Sequence, residues 1–294
     1  MIQFARTPTL NIAYEAHGPA GGTPVILLHG FPDDARAYDG CVGPLAADGC
    51  RVLVPYLRGY GQTSFLDAAT PRLGEQAALG SDLRDFMDSL GIEKAILGGY
   101  DWGGRAACVV SALWPERAIG LVSINGYNIQ NIATSGVPAD AEQEMRHWYQ
   151  WYFNTERGRA GLAANRHELC KLLWKLWSPN WHFDDAKYAA TGVSFDNPDF
   201  VDVVIQSYRH RHRNAPGDPA LAPIEAALAA QPAITVPTIV LHGEADGVGP
   251  AAQSAGAHKH FTNRYERRVI PVAGHFLPHE APETVVRAVR DLRV

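Results

Sequence analysis

The chain has 294 residues, of which 46% are hydrophobic and 19% are charged, and its formal net charge is −5. This composition is typical of a globular protein, and the length allows one large domain or two smaller ones. Mild acidity argues against a general nucleic-acid surface, four scattered cysteines argue against a disulfide scaffold or zinc ribbon, and no apolar run could span a membrane. Because the N-terminal segment does not resemble a signal peptide, we expect a cytoplasmic protein.

Short runs typical of strands alternate with helical patterns in the first half of the chain. The predicted strands are Leu10–Glu15, Val25–Leu28, Arg51–Pro55, Ala95–Gly98 and Leu121–Ile124. Between the third and fourth strands, the apolar spacing predicts a helix over Gln76–Leu90. Strands separated by helices indicate an α/β fold with a mostly parallel sheet and helices on its faces.

The pattern changes between about Tyr127 and Gly217, where tryptophans and tyrosines are frequent and no buried strand is evident. It then returns, with strands at Thr238–Leu241 and Arg267–Val272 and a helix at Glu283–Leu292. We therefore predict an α/β core formed by residues 1–127 and 217–294. A helical cap is expected at 128–216.

The sharpest local signal is the segment Gly99–Gly103, with the sequence Gly-Tyr-Asp-Trp-Gly, between a predicted strand and a predicted helix. Small residues around a tight strand-to-helix turn expose the central side chain, which is the arrangement of a nucleophile. The alternative is that Asp101 only caps the following helix.

A nucleophilic carboxylate needs a base that activates water, and His275 follows the last predicted strand, where a base is expected. Asp246 follows the preceding strand and is the candidate acid that orients the histidine, with Glu244 as a nearby competitor. The other place for such an acid is after Leu121–Ile124, but the residue there is Asn125, which carries no charge.

The backbone N–H groups of Trp102 and Phe31 are the candidate donors of an oxyanion hole. Trp102 follows the nucleophile, and Phe31 lies in the His-Gly-Phe-Pro segment after an early strand.

In the order His-Gly-Phe-Pro, Asp-Trp-Gly-Gly, Asp246 and Gly-His275, these segments resemble the α/β-hydrolase superfamily, and within it the epoxide hydrolases and the related haloalkane and fluoroacetate dehalogenases. The resemblance covers essentially the whole chain and implies an α/β-hydrolase fold with an inserted helical cap. It also implies two cap tyrosines that activate the epoxide oxygen. Tyr208 matches one of them, and Tyr149 matches the other better than Tyr152 does.

The nucleophile's identity indicates the reaction. A carboxylate that attacked an ester would give a high-energy anhydride, whereas attack on an sp³ carbon with a strained or good leaving group gives an alkyl ester that water can cleave. We therefore expect a hydrolase acting on ether bonds, an epoxide hydrolase that forms a vicinal diol. A haloalkane or haloacid dehalogenase with the same triad remains the alternative, and a non-catalytic ligand-binding protein of this fold is a more remote one.

The aromatic residues of the cap suggest an apolar pocket, for which the candidates are Phe31, Trp102, Trp148 and Tyr152. The expected partners are accordingly a small hydrophobic epoxide and water, without nucleic acid or membrane, and a homodimer is left open. The mechanism requires no cofactor and no metal. The basic run Tyr208–Arg213 is interpreted as a solvated face of the cap.

Overall fold

The structure is a computed structural model that describes residues 1–293. Its nine strands within that range are β1 (Ile2–Arg6), β2 (Leu10–His17), β3 (Thr23–Leu28), β4 (Cys50–Pro55), β5 (Ser64–Phe65), β6 (Ala95–Gly99), β7 (Ala118–Ile124), β8 (Thr238–Gly243) and β9 (Tyr265–Ile270). The α-helices described are α1 (Asp39–Ala47), α2 (Gln76–Ser89), α3 (Asp101–Leu113), α4 (Ala141–Arg146), α5 (Trp148–Phe153), α6 (Glu156–Trp177), α7 (Asp185–Gly192), α8 (Phe200–Arg211), α9 (Ala222–Ala229), α10 (Leu277–Glu280) and α11 (Pro282–Leu292).

The strands form one sheet in the order β1-β2-β4-β3-β6-β7-β8-β9, and β5 pairs with β2. The pairs β1–β2, β2–β4 and β2–β5 are antiparallel, whereas every pair from β4 through β9 is parallel. The predicted α/β fold with a mostly parallel sheet is therefore confirmed. β3, β6 and β7 are almost wholly buried because helices cover both faces of the sheet, as their continuous apolar runs indicate.

The last predicted strand ends earlier than expected. The sequence indicates Arg267–Val272, but β9 ends at Ile270, and Val272 adopts a left-handed backbone conformation with φ 67°. A β-branched residue in that conformation cannot continue a strand. The turn that follows carries the chain to His275.

The segment between β7 and β8 contains α4 to α9 and three short 3₁₀ helices, so the helical insert expected there is present. Its aromatic residues pack among themselves and against the core: Trp174 Nε1 donates to the Pro32 carbonyl at 2.6 Å, and the Trp174 ring lies 5.2 Å from that of Phe276. The boundaries at 128 and 216 remain predictions.

The parallel strands place four loops at one edge of the sheet. Phe31 follows β3, Asp101 follows β6, Asn125 follows β7 and Asp246 follows β8. Because the carboxyl ends of parallel strands meet at a common edge, these residues converge below the insert. Within residues 1–293, no helix combines the length and apolar character that a bilayer crossing requires.

Candidate active site

Asp101 occupies a strained turn between β6 and α3. It is the first residue of α3, and its φ is 48°, a left-handed conformation that non-glycine residues rarely adopt. The turn needs close backbone approaches, because a Cβ on Gly103 would lie 2.2 Å from the Leu28 carbonyl oxygen. Gly103 therefore permits the strained turn, and the turn directs the Asp101 side chain into the space beneath the cap.

The Asp101 carboxylate is held by the loop after β3. Its Oδ1 accepts a hydrogen bond from the Phe31 backbone N–H at 2.9 Å. Gly30 permits this contact, since a Cβ there would lie 2.5 Å from the Asp101 Cβ. Trp102 lies in the first turn of α3, where backbone N–H groups have no acceptor within the helix. The two predicted oxyanion-hole donors therefore flank the nucleophile, and Phe31 contacts it directly.

His275 and Asp246 form a buried pair. His275 Nδ1 lies 2.9 Å from Asp246 Oδ2, while the N–H groups of Val248 and Gly249 donate to Oδ1 at 2.7 and 3.1 Å. The competing acid Glu244 is exposed. Asp246 is thus the acid that the structure places beside the histidine.

Asn125 joins this pair from the strand end where an acid was also considered. Its amide donates to Asp246 Oδ2 at 2.5 Å, and its φ of 76° is again left-handed, a conformation that asparagine tolerates better than most residues. The two alternative acid positions therefore converge on one site. Asn125 supports the carboxylate that Asp246 supplies.

The electrostatic interaction within this pair favours a charged Asp246 carboxylate and a charged His275 imidazolium. Burial acts to raise the pKa of the Asp246 carboxyl, but the charge and hydrogen bond of His275 hold that pKa below its ordinary value. Burial acts in turn to lower the pKa of His275, but Asp246 and then Asp101 raise it above its ordinary value. His275 Nε2 is buried and has no hydrogen-bond partner among the described residues. It is therefore available to take a proton from a molecule in the site.

Asp101 and His275 line the same cavity, of about 380 Å³. Tyr149 from α5 also lines it, and so do Arg105 and Arg211. The sequence predicted four residues for an apolar pocket, and in the described part of the chain none of them lines this cavity: Phe31, Trp102, Trp148 and Tyr152. The cavity is consequently more polar than the sequence led us to expect.

The predicted pocket residues have other surroundings. Phe31 and Trp102 are fully buried and stack on each other, with ring centroids 5.7 Å apart. Trp148 is 36% exposed and borders a separate surface cleft. The Tyr152 hydroxyl lies over α6, where a Cβ on Gly161 would meet it at 1.8 Å. Aromatic packing closes this side of the site instead of opening it.

The two predicted cap tyrosines are neighbours. Tyr149 and Tyr208 are each 1% exposed, and their rings meet edge-on at 5.4 Å. Burial raises the pKa of Tyr149 to about 12, and burial, Tyr149 and Asp101 raise the pKa of Tyr208 well above its ordinary value. Tyr149 lines the cavity, whereas Tyr208 packs beside it against Phe31 at 5.5 Å. Both phenols keep their protons at neutral pH.

Sequence reasoning missed several polar residues of this wall, above all Arg211 and His212. Arg211 was interpreted as part of a solvated face. The signal that could have found it is helical spacing: Arg211 lies three residues after Tyr208 on α8, so the two share a face.

The comparisons with known proteins agree with this architecture. Residues 23–282 match the family model of the alpha/beta hydrolase fold, so the chain belongs to that family. A protein from Klebsiella pneumoniae that is provisionally named an epoxide hydrolase has a crystal structure that matches this one with a TM-score of 0.98 and 45% sequence identity. The match covers 100% of this chain and 97% of that protein's chain. The human protein named epoxide hydrolase 4 is 24% identical over 287 residues, which is 95% of this chain and 75% of the relative.

A haloalkane dehalogenase from Mycobacterium marinum is 35% identical over 123 residues, or 41% of this chain and 40% of the relative. The resemblance stated from the sequence is therefore confirmed at the level of the family and of the names its relatives carry.

Proposed function

We propose that this protein is an epoxide hydrolase, which opens an epoxide to a vicinal diol through a covalent ester on Asp101. The observation that carries the proposal is that Asp101 and His275 line one cavity. Asp101 is anchored at Oδ1 by Phe31 N–H, and the unpartnered Nε2 of His275 lines the same space. A nucleophile and a base for the second step are therefore both within reach of a bound substrate.

In the first step, Asp101 Oδ2 attacks a carbon of the epoxide ring and the bond from that carbon to the epoxide oxygen breaks. The oxygen becomes an alkoxide and takes a proton, for which the phenols of Tyr149 and Tyr208 are the donors. Because the pKa of Tyr149 is raised to about 12, its hydroxyl is protonated at neutral pH and is a hydrogen-bond donor to the ring oxygen. The product is an alkyl ester of Asp101.

In the second step, His275 Nε2 takes a proton from water, and the resulting hydroxide attacks the Asp101 carboxyl carbon. Oδ1, already 2.9 Å from Phe31 N–H, becomes the oxyanion, and Trp102 N–H is the second donor. Asp246 stabilises the imidazolium that forms at His275. Collapse of the intermediate breaks its bond to the substrate oxygen, which takes the proton from the His275 imidazolium and leaves as the diol. The regenerated Asp101 carboxyl loses its proton, and a proton returns to the phenolate formed in the first step, so that the free enzyme is restored.

The proposal is tested by trapping the ester. In His275→Gln, alkylation should proceed but hydrolysis should stop, so intact-protein mass should rise by the mass of the epoxide. In Asp101→Ala, no adduct should form and turnover should fall by about 10⁴-fold or more, as for removal of other catalytic nucleophiles. Steady diol formation by Asp101→Ala would contradict the covalent mechanism.

One observation favours dehalogenation as a second candidate. The Trp102 indole Nε1 is buried without a hydrogen-bond partner among the described residues, and an indole N–H beside the nucleophile can stabilise a departing halide. Two phenols, in contrast, suit an alkoxide that needs a proton. A panel of epoxides and haloalkanes, assayed for both diol and halide, separates the two activities.

A further inference from the structure

Three side chains that can bind a metal ion meet outside the catalytic cavity, where the helical insert contacts the core. Glu75 directly precedes α2, His210 lies in the last turn of α8, and Glu225 lies in the first turn of α9. Each offers one ligand atom, a carboxylate oxygen or an imidazole nitrogen, and these three atoms lie within 4.8 Å of one another. Among the described residues, the wall of the cavity around Asp101 and His275 includes none of the three.

The Glu75 carboxylate is buried and only partly satisfied. Its side chain is 0% exposed, and Oε2 has no hydrogen-bond partner among the described residues. Oε1 accepts from the Asp218 N–H at 2.9 Å, which fixes the direction of the carboxylate. Although Glu75 precedes α2, its side chain does not cap that helix. A buried carboxylate oxygen that accepts no hydrogen bond is unfavourable unless another group compensates it.

His210 approaches this oxygen without donating to it. Nε2 of His210 lies 3.1 Å from Glu75 Oε2, yet no hydrogen bond joins these two atoms in the described structure. Ligand atoms on one zinc ion lie roughly 3–3.5 Å apart, because each bond to zinc is about 2.0–2.2 Å long. The observed separation is therefore the one that two ligands of the same ion would have.

Glu225 is held in place on the third side of the cluster. Its Oε1 accepts from the Ala77 N–H at 3.0 Å, and its Oε2 accepts from the Gln76 side-chain amide at 3.1 Å. Because each carboxylate oxygen has two lone pairs, one hydrogen bond leaves it able to bind an ion as well. Hydrogen bonds of this kind orient the carboxylates that bind metals in proteins.

Gly217 leaves open the space between two of these ligands. A Cβ at this position would lie 2.0 Å from Glu75 Oε2 and 2.8 Å from His210 Nε2, so a larger residue would enter the gap between them. The φ of Gly217 lies outside the left-handed region. The position therefore requires the absence of a side chain and not the conformational freedom of glycine.

No lysine or arginine of residues 1–293 forms an ion pair with Glu75 or Glu225. The basic group that contacts this cluster is the His210 imidazole. A protonated His210 would form an ion pair with Glu75, whereas a neutral His210 offers a lone pair to a metal ion. These two states give different results in a zinc titration.

We propose that Glu75, His210 and Glu225 bind one zinc ion, which holds α8 of the helical insert against the start of α2. One imidazole and two carboxylates are ordinary zinc ligands, and a water molecule would complete four-coordination. Mg²⁺ and Ca²⁺ are less suitable, because both prefer sites made of oxygen ligands. The site takes no part in the chemistry at Asp101, so this inference does not depend on the proposed function.

The test is zinc binding by tag-free protein that has been treated with EDTA and dialysed. Calorimetric titration with ZnCl₂ should give one ion per chain. Zinc at about 100 times its Kd should raise Tm by roughly 5 °C, because the ion binds the folded chain. MgCl₂ at the same concentration should raise Tm by less than about 1 °C. An equal rise with MgCl₂ would contradict the assignment to zinc.

Matched variants locate the bound ion. His210→Gln should weaken zinc binding by more than about 100-fold, since the loss of a mere hydrogen-bond partner of a metal ligand already costs about 10–100-fold. Glu75→Gln keeps the shape of the buried side chain and should weaken binding to a similar extent. The control is His167→Gln, which should leave the Kd unchanged: His167 lies 2.8 Å from the Asp196 carboxylate, and two ligands are too few for tight binding. Circular dichroism and Tm without zinc establish that each variant is folded.

A crystal structure with zinc would locate the ion directly. Its anomalous peak should lie about 2.0–2.2 Å from His210 Nε2 and from one oxygen each of Glu75 and Glu225. If the wild-type protein binds no zinc, the three side chains form an ion pair only and the inference is wrong. It is equally wrong if folded His210→Gln binds zinc as tightly as the wild type, since the ion then occupies an adventitious surface site only.

Discussion

The core and the cap contribute to the same cavity by different means. In the core, Asp101 and Asp246 follow strands, and His275 follows the turn after the last strand. Backbone N–H groups donate to the carboxylates of Asp101 and Asp246 and hold them in place. The cap residues Tyr149 and Arg211 are carried on helices whose positions depend on packing between aromatic side chains. In the proposed mechanism, the core therefore supplies the nucleophile and the base, and the cap supplies the phenols that donate to the epoxide oxygen.

This difference has a consequence for mutagenesis. Removing the His275 or Asp246 side chain should affect ester hydrolysis and spare alkylation, because both residues act in the second step of the proposed mechanism. Removing a cap side chain should affect the first step or substrate selection and spare the hydrolysis of an ester already formed.

The largest effect that tests this division is expected from the cap phenols. Tyr149→Phe combined with Tyr208→Phe should slow alkylation by about 10³-fold or more, because two hydrogen bonds to a developing alkoxide are lost in a desolvated site. Tyr149→Phe alone should cost more than Tyr208→Phe, since Tyr149 lines the cavity. Stopped-flow alkylation measures this effect.

The matched readout is hydrolysis of an alkyl ester preformed on the double variant, which should change much less. Near-normal alkylation by that variant would show that the phenols do not activate the epoxide. Halide release at the full rate, in a protein that ignores epoxides, would favour the dehalogenase.

An effect of comparable size, on the opposite step, is expected from the core acid. Asp246→Asn should slow ester hydrolysis by up to about 10⁴-fold, because the amide no longer stabilises the imidazolium, while alkylation stays close to normal. Single-turnover experiments should therefore show accumulation of the ester. Equal slowing of both steps would indicate a structural role for Asp246.

The pH dependence should shift in a defined direction. His275 acts as a base only when neutral, so activity falls as pH drops through its pKa, which lies above the ordinary value of 6.5. In Asp246→Asn, burial is left to lower the pKa of His275, and the acid limb should move to lower pH. A pH profile of single-turnover hydrolysis measures the shift, and a limb that stays in place would show that Asp246 does not set this pKa.

The same comparison explains what could be predicted from the sequence. Asp101, Asp246 and His275 were identifiable because the positions after parallel strands converge whatever the side chains around them. The strained φ of Asp101 and the neighbouring glycines belong to a local pattern of five residues. The nearby support from Asn125 was not foreseen, since it depends on the register between β7 and β8.

The cap was harder to interpret because composition does not reveal which way each side chain points. Tryptophans and tyrosines suggested an apolar pocket, but Phe31 and Trp102 stack closely on each other. Arg211, within a run of basic residues, suggested solvent exposure although it lines the cavity. Which side of a short helix faces inward is decided by tertiary packing, which a single sequence does not specify.

The smallest expected effect discriminates between two tyrosines one helical turn apart. Tyr149 and Tyr152 both lie on α5, but only Tyr149 of the two lines the cavity, while the Tyr152 hydroxyl lies over Gly161 of α6. Tyr152→Phe should therefore leave kcat/KM within about 2-fold, the range expected when no buried hydrogen bond is lost. Tyr149→Phe, which removes the same atom from the residue one turn earlier, should slow alkylation at least several-fold. If Tyr152→Phe has the larger effect, Tyr152 and not Tyr149 is the first cap tyrosine.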